Sequence, residues 1–146
     1  MDAAHKDPRR ARSAPNNIVP TSTGAARTAD AIYPELRGKI DGISMRVPVP
    51  DGSITDFVAR LGNEAYKDEL NDAFRSASEG ELSGVLQYSE EPLVSSDIVG
   101  NPASCVFDSR LTMSNGGTVK VLGWYDNECG FSNRTVDLIR YMGEKL

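Results

Sequence analysis

Apolar positions change their period along the chain, and each change marks an element. Ala25, Ala26, Ala29, Ile32 and Tyr33 recur at three- and four-residue intervals, the spacing of one helix face. Pro34 ends that pattern. Thr21 to Thr23 offer N-cap chemistry for this helix, after a stretch over residues 13–22 whose two prolines read as an ordered loop. From Ile43 the period falls to two. Ile43, Met45, Val47 and Val49 share one face, and Ser44 and Arg46 point to the other. A second strand is predicted over Ser53–Leu61, after the turn-like Pro50-Asp51-Gly52. Leu70, Ala73, Phe74 and Ala77 return to helical spacing, with Asn63 or Asp68 as caps. Leu82–Tyr88 and Ser104–Met113 read as strands separated by a long polar loop. Ser114-Asn115-Gly116-Gly117 is a hairpin turn leading into a strand over Thr118–Tyr125. Val136, Leu138, Ile139 and Met142 then mark a C-terminal helix, with Ser132 or Asn133 as its cap.

This order predicts an α+β fold: a mainly antiparallel mixed sheet with helices packed on one face, plus the C-terminal helix. A length of 146 residues fits one domain. There is no internal repeat and no G-x-G-x-x-G, so a Rossmann fingerprint is missing from this stretch. The net charge of −5 argues against a globally basic nucleic-acid binder. It is unevenly spread, however. Within residues 1–12, Lys6, Arg9, Arg10 and Arg12 outnumber Asp2 and Asp7, which reads as a solvated arm or a local anion site on an acidic body. No apolar run approaches the roughly 18 residues of a membrane span, and no signal-peptide pattern follows Met1. Two cysteines fit a reducing compartment and hence a cytoplasmic location. His5 is the single histidine, which argues against a His/Cys zinc site and against a Ser-His-Asp triad.

Three places carry candidate chemistry. Pro20-Thr21-Ser22-Thr23-Gly24 runs into a helix, whose first N–H groups are unpaired and whose dipole adds partial positive charge. Gly24 lets an oxyanion approach the backbone and Thr23 adds a hydroxyl donor. Arg46 and Arg10 would complete a phosphate clamp with charge-assisted bonds. The plain alternative is that Thr21–Thr23 only cap the helix and Arg46 is solvated. Trp124-Tyr125-Asp126-Asn127-Glu128 lies just past a strand end, where polar side chains face ligands in layered folds. Here too a bland reading stands beside it: Asp126 or Asn127 starts the connecting turn. Ala103-Ser104-Cys105 imitates a nucleophilic-cysteine motif. No base is evident beside it, and Cys105 sits in an alternating strand, so it reads as a small buried hydrophobe.

Longer motifs carry a resemblance. Asp7-Pro8-Arg9-Arg10-Ala11-Arg12, Asn17-Ile18-Val19-Pro20-Thr21-Ser22-Thr23-Gly24-Ala25-Ala26, Pro34-Glu35-Leu36-Arg37-Gly38-Lys39 and Met45-Arg46-Val47-Pro48 are followed by Glu91-Pro92-Leu93-Val94-Ser95-Ser96-Asp97. Trp124-Tyr125-Asp126-Asn127-Glu128 and Gly130-Phe131-Ser132-Asn133-Arg134 complete the set. In this order they resemble the catalytic domain of the phosphorylating glyceraldehyde-3-phosphate dehydrogenases, almost to the C-terminus. The resemblance implies a cofactor-bordering loop segment over 1–22, sheet and helices of the catalytic domain over 23–128, and the C-terminal helix over 129–146. It also implies NAD as cofactor, glyceraldehyde 3-phosphate and inorganic phosphate as ligands, and a homotetramer. Arg46 would serve both anion sites of the family, with Thr23, Gly24 and Arg10 mainly at the site of the attacking phosphate. Asn127 would hold the nicotinamide carboxamide, and Tyr125 would line the same region.

The family's N-terminal Rossmann domain, its Ser-Cys-Thr-Thr-Asn nucleophile and its activating histidine have no counterpart in these 146 residues. The expectation is therefore no catalytic residue in this chain and no activity from it alone. Pro8 and Pro15 stand where the family is usually apolar, Cys129 where it commonly has Trp, and Phe131 where Tyr is common. Ala3-Ala4 lies where NAD-preferring members often have Leu-Pro, which points to tolerance of NADP. Two further readings compete. One is a stand-alone, non-enzymatic module that binds phosphate-bearing ligands or other subunits through exposed apolar faces. The other, nucleic-acid binding through Arg9, Arg10 and Arg12, is opposed by the acidic body.

Overall fold

A computed structural model describes residues 2–146. The fold is α+β, with two separate sheets whose pairings are mostly antiparallel. The chain divides into two compact units, the first ending at Pro50 and the second running from Asp51 to Leu146.

The first unit is built on a two-stranded ribbon, β1 (Val19–Ser22) with β2 (Ile43–Arg46), followed between its strands by helix α1 (Ala25–Ile32). The register pairs Val19 with Arg46, Thr21 with Ser44 and Ser22 with Ile43. Residues 19–22, read from sequence as loop, are thus a strand. Its partner lies more than twenty residues on, so no local pattern announces it, and an edge strand tolerates Pro20. The alternation of Ile43–Arg46 is as expected, but the strand stops at Arg46, before Val47 and Val49. Val19 and Thr21 are the buried positions of the ribbon, whereas Ile43 and Met45 are 66% and 59% exposed. The apolar stripe therefore faces outward. α1 begins at Ala25, later than its threonines suggest, with Gly24 in the N-cap position. Tyr33 closes the helix by donating its N–H to the Ala29 carbonyl, and Pro34 starts a short 3-10 turn. Ahead of the ribbon, residues 2–13 fold back on themselves. The Ser13 N–H donates to Asp2 Oδ1 at 2.9 Å and the Ala3 N–H to the Ala11 carbonyl at 2.9 Å.

The second unit is organised by β7 (Thr118–Tyr125). Along one edge it pairs residue for residue with β3 (Ser53–Arg60), from Ser53–Tyr125 to Arg60–Thr118. Its other edge is shared. β5 (Cys105–Asp108) takes the end near Trp124, and β6 (Met113–Asn115) takes the end near Thr118. β4 (Leu86–Ser89) adds the only parallel pairing among the described residues, against β5. The expected single strand over Ser104–Met113 is broken over residues 109–112. There the Asp108 carboxylate accepts the Arg110 N–H at 3.1 Å and the Trp124 Nε1–H at 3.0 Å, and a 3-10 turn forms over Ser109–Leu111. The hairpin between β6 and β7 turns on Gly116 and Gly117, both at positive φ (53° and 82°), which a tight two-residue turn of this hand requires.

Helix α2 (Lys67–Glu79) starts earlier than Asp68 would cap it. Tyr66 occupies the N-cap and donates its N–H to the Glu69 carboxylate at 2.8 Å. Residues 80–85 are turns and not the first half of a strand, because the Leu82 N–H returns to the Ala77 carbonyl and Gly84 takes positive φ. A one-turn helix, α3 (Ser95–Ile98), lies inside the stretch read as polar loop. α4 (Cys129–Gly143) begins three residues ahead of Ser132. Ile98, Ala103 and Val106 form the buried centre, with Leu93 and Trp124 against them. Phe107 stacks on Phe74 of α2 at 4.1 Å between centroids and lies 5.7 Å from the Tyr88 ring.

Gly123 has a packing reason. A Cβ built there would stand 2.5 Å from Cys105 Sγ, so G123A is expected to lose about 1–3 kcal/mol of unfolding free energy from overpacking. Urea titration checks this, and C105A in the same background should recover part of the loss.

Candidate functional site

The sequence-predicted residues fall into two groups, one in each unit. In the first unit, α1 starts where β1 ends. The first intrahelical bond runs from the Thr28 N–H to the Gly24 carbonyl at 3.0 Å, and Thr28 Oγ1 donates to the same oxygen. The N–H groups of Gly24, Ala26 and Arg27 therefore have no intrahelical acceptor. No acidic residue lies in the first turn of α1, so no carboxylate competes there for the positive end of the dipole. Thr23 Oγ1 accepts the Ala25 N–H at 3.2 Å, and its hydroxyl proton stays available to another acceptor. The threonine is thus both cap and potential donor; the two readings are not exclusive.

Arg10 comes to this corner from the basic N-terminal segment. Its Nη2 donates to the Ser22 carbonyl at 3.1 Å and lies 3.5 Å from Ser22 Oγ, one residue before Thr23. The structure therefore gathers Arg10, Thr23 and Gly24 around Ser22. Arg46 is placed differently. It pairs with Val19 at the opposite end of the ribbon, about 10 Å of strand away from Ser22. Its side chain is exposed and makes no hydrogen bond or ion pair among the described residues. On its side of the ribbon Thr21 is 6% exposed, and Thr21 Oγ1 has no hydrogen-bond partner there.

In the second unit, Tyr125 ends β7 and Asn127 follows in the loop to α4. Both line a cleft of about 270 Å³ with Ser104, Gly130, Phe131 and Arg134. Asn127 is exposed, and Ser53 Oγ donates to its Oδ1 at 3.4 Å. The residue that shapes this loop is Asp126, which is buried. Its Oδ1 accepts the N–H groups of Glu128 and Cys129, each at 2.8 Å, and its Oδ2 accepts the Gly100 N–H at 2.8 Å. The carboxylate thus starts α4 and pins the loop to the segment after α3. Sequence reasoning offered Asp126 as a turn former, and it is one; that leaves Asn127 free to face the cleft. Arg134, which was not singled out, donates to the Gly84 carbonyl at 3.0 Å and pairs with Asp137 at 2.6 Å, holding α4 against the turn before β4. Cys105 lies inward, and burial pushes its thiol pKa up, away from the reactive thiolate. A larger cleft of about 550 Å³ beside α2 contains none of the predicted residues. Its lysine and its asparagine are used internally, Lys67 on the Arg110 carbonyl and Asn71 on the Ser109 carbonyl.

Against this geometry, residues 1–127 match the family model described as glyceraldehyde 3-phosphate dehydrogenase, C-terminal domain. The chain belongs to that family. It is 60% identical over 147 residues to glyceraldehyde-3-phosphate dehydrogenase 2 of Streptomyces avermitilis, covering all of this chain and 44% of that protein. The glyceraldehyde-3-phosphate dehydrogenase of Streptomyces coelicolor is 57% identical over 148 residues, again with all of this chain and 44% of its own length. The Mycobacterium tuberculosis enzyme is 53% identical over 146 residues and is covered to 43%. The chain thus spans less than half the length of the curated relatives it matches. No helix among the described residues is long and apolar enough to cross a membrane, and no group of three or more metal-ligating side chains occurs among them.

Asp126 gives this family domain a pH signature. Hydrogen bonds from the Cys129 and Gly100 amides, in that order, hold its carboxyl below the usual carboxylate range. A folded-state pKa below the unfolded value of about 3.9 means that the stabilisation is fully present above that value. It is lost as pH falls through the folded pKa. Urea midpoints from pH 6 down to pH 2 should fall along a limb that D126N lacks, and D126N should be the less stable protein at neutral pH.

Proposed function

We propose that this chain supplies the phosphate-binding corner and the nicotinamide-facing loop of a phosphorylating NAD(P)-dependent glyceraldehyde-3-phosphate dehydrogenase, and that it has no dehydrogenase activity alone. The observation that carries the reading is the corner at Ser22. A guanidinium, a threonine hydroxyl and free amides of α1 converge where no acidic residue occupies the helix's first turn. This is the donor set that an oxyanion needs. Arg46, unpaired at the other end of the ribbon, suits a second anion position. In this reading the two positions hold the substrate's phosphate and the inorganic phosphate that cleaves the thioester.

The bound nicotinamide cofactor would supply the hydride acceptor. Asn127 is the residue to hold its carboxamide, because its amide faces the cleft beside Tyr125 while Asp126 fixes the loop underneath. Pinning the loop to two separate backbone segments limits its motion, so the amide is orientated before the ligand arrives. NAD is the cofactor of this reading, with NADP accepted through the small residues Ala3-Ala4. The nucleophile and its base come from outside these residues, and assembly is a homotetramer in the cytoplasm.

The competing module reading draws on one observation: Val136, Leu138, Ile139 and Met142 of α4 are all exposed, as an association surface would be. One experiment separates the two. The chain is joined to, or co-expressed with, the N-terminal part of the Streptomyces avermitilis relative, and reduction of NAD or NADP by glyceraldehyde 3-phosphate is followed with and without phosphate. Phosphate-dependent reduction, with R46A lowering kcat/KM by about tenfold to a hundredfold, is the expected result. No reduction from a soluble, associated pair favours the module.

A further inference from the structure

We propose that Asp7 is a positioning residue that holds Arg10 in readiness for an anion at the α1 corner; the inference rests on the reading of that corner given above. Asp7 is tied down through every polar group it has. Its N–H donates to His5 Nδ1 at 2.9 Å and its carbonyl accepts the Ala11 N–H at 3.2 Å. One carboxylate oxygen, Oδ1, accepts the Arg9 N–H at 2.8 Å, which closes the turn. The other, Oδ2, lies 3.8 Å from Arg10 Nε. The Nη2 of the same guanidinium donates to the Ser22 carbonyl at 3.1 Å. Arg10 is thereby held between a carboxylate three residues back and the strand end twelve residues on. Its Nη1 donates to nothing among the described residues, so N–H groups remain for an oxyanion.

The sign of the effect has to be decided, because a carboxylate near an anion also repels it. Two facts favour positioning. A long side chain that is already ordered loses less freedom when the ligand arrives. An anion held by the outer edge of the guanidinium stands farther from Asp7 than the guanidinium does, and salt screens that longer separation more. Positioning therefore wins, by a margin set by an exposed pair: about two- to fourfold in phosphate affinity.

The test uses the 146-residue chain and inorganic phosphate, following the backbone N–H signals of Gly24, Ala26 and Arg27 and the Arg10 Nε–H signal by NMR. D7N retains an oxygen for the Arg9 N–H and removes the charge, which separates turn closure from the pairing. It should weaken the phosphate Kd about two- to fourfold, while D7E stays near wild type. D41N removes the same charge elsewhere in this unit, where Asp41 Oδ1 accepts the Gly42 N–H, and should change nothing. In an R10A background D7N should add no further loss. Unchanged or tighter binding in D7N, or an equal loss with and without Arg10, overturns the proposal. Absence of any saturable shift in the wild-type chain overturns the anion site itself and this inference with it.

Discussion

Everything in the second unit is referred to β7. The strand is paired along its whole length with β3, and its other edge is divided between β5 and β6. Because an edge cannot be occupied twice at one level, the segment joining β5 to β6 must leave the sheet and return within four residues. The Asp108 carboxylate meets that constraint by accepting the Arg110 N–H, while its second oxygen is anchored by Trp124 of β7 itself. Gly123, next along the strand, is small because Cys105 Sγ fills the space above it. The same strand then delivers Tyr125, Asp126 and Asn127 in sequence. A rigid, fully paired strand running directly into a pinned loop gives Asn127 a defined origin.

What the sequence made legible follows from which interactions are local. The hairpin at Gly116-Gly117, the β3 pattern and the bodies of α2 and α4 were readable, since turn chemistry and periodicity act over a few residues. The misreadings share a cause in long-range pairing. β1 exists because Ile43–Arg46 lie beside it, and the interruption of Ser104–Met113 exists because β7 has only one free edge. Helix starts were missed by two to five residues where the cap was unconventional. Tyr66 caps α2 through Glu69, and Asp126 supports α4 from outside the helix. At the candidate site, the sequence groups Arg10, Thr23 and Gly24 together, and the structure brings them to one corner. The different station of Arg46 was not readable, because it depends on the register of a ribbon that the sequence did not reveal. Asp7 was visible only as a partial neutraliser of the basic segment, although its two oxygens have separate tasks.

The placement of apolar surface bears on how such a domain works. Ile43 and Met45 on the ribbon, and Leu138, Ile139, Tyr141 and Met142 on α4, lie open to solvent. Both stripes follow the period of their own element, two for the strand and three to four for the helix. This is the pattern of faces built to be covered, not of scattered surface residues. The chain also accounts for less than half the length of its relatives. In both units the local structure is closed by hydrogen bonds while apolar side chains stay exposed.

That distinction explains which parts of the site are complete. In the reading proposed above, a phosphate corner would use backbone amides, a hydroxyl and a guanidinium, all of which come from one unit through contacts no farther apart in sequence than Ser22 is from Arg10. Such a site is assembled by local folding and does not wait for a covering partner. The Asn127 loop is likewise secured within its own unit, by Gly100 and the first amides of α4. Acyl transfer is a harder requirement, since a nucleophile must meet a base at hydrogen-bond distance. The half-buried Cys105 has no lowered pKa to offer, since burial raises it. In the reading proposed above, the anion-facing and carboxamide-facing groups are set by contacts within their own units, so the nucleophile and base that it assigns elsewhere would meet binding groups already in place.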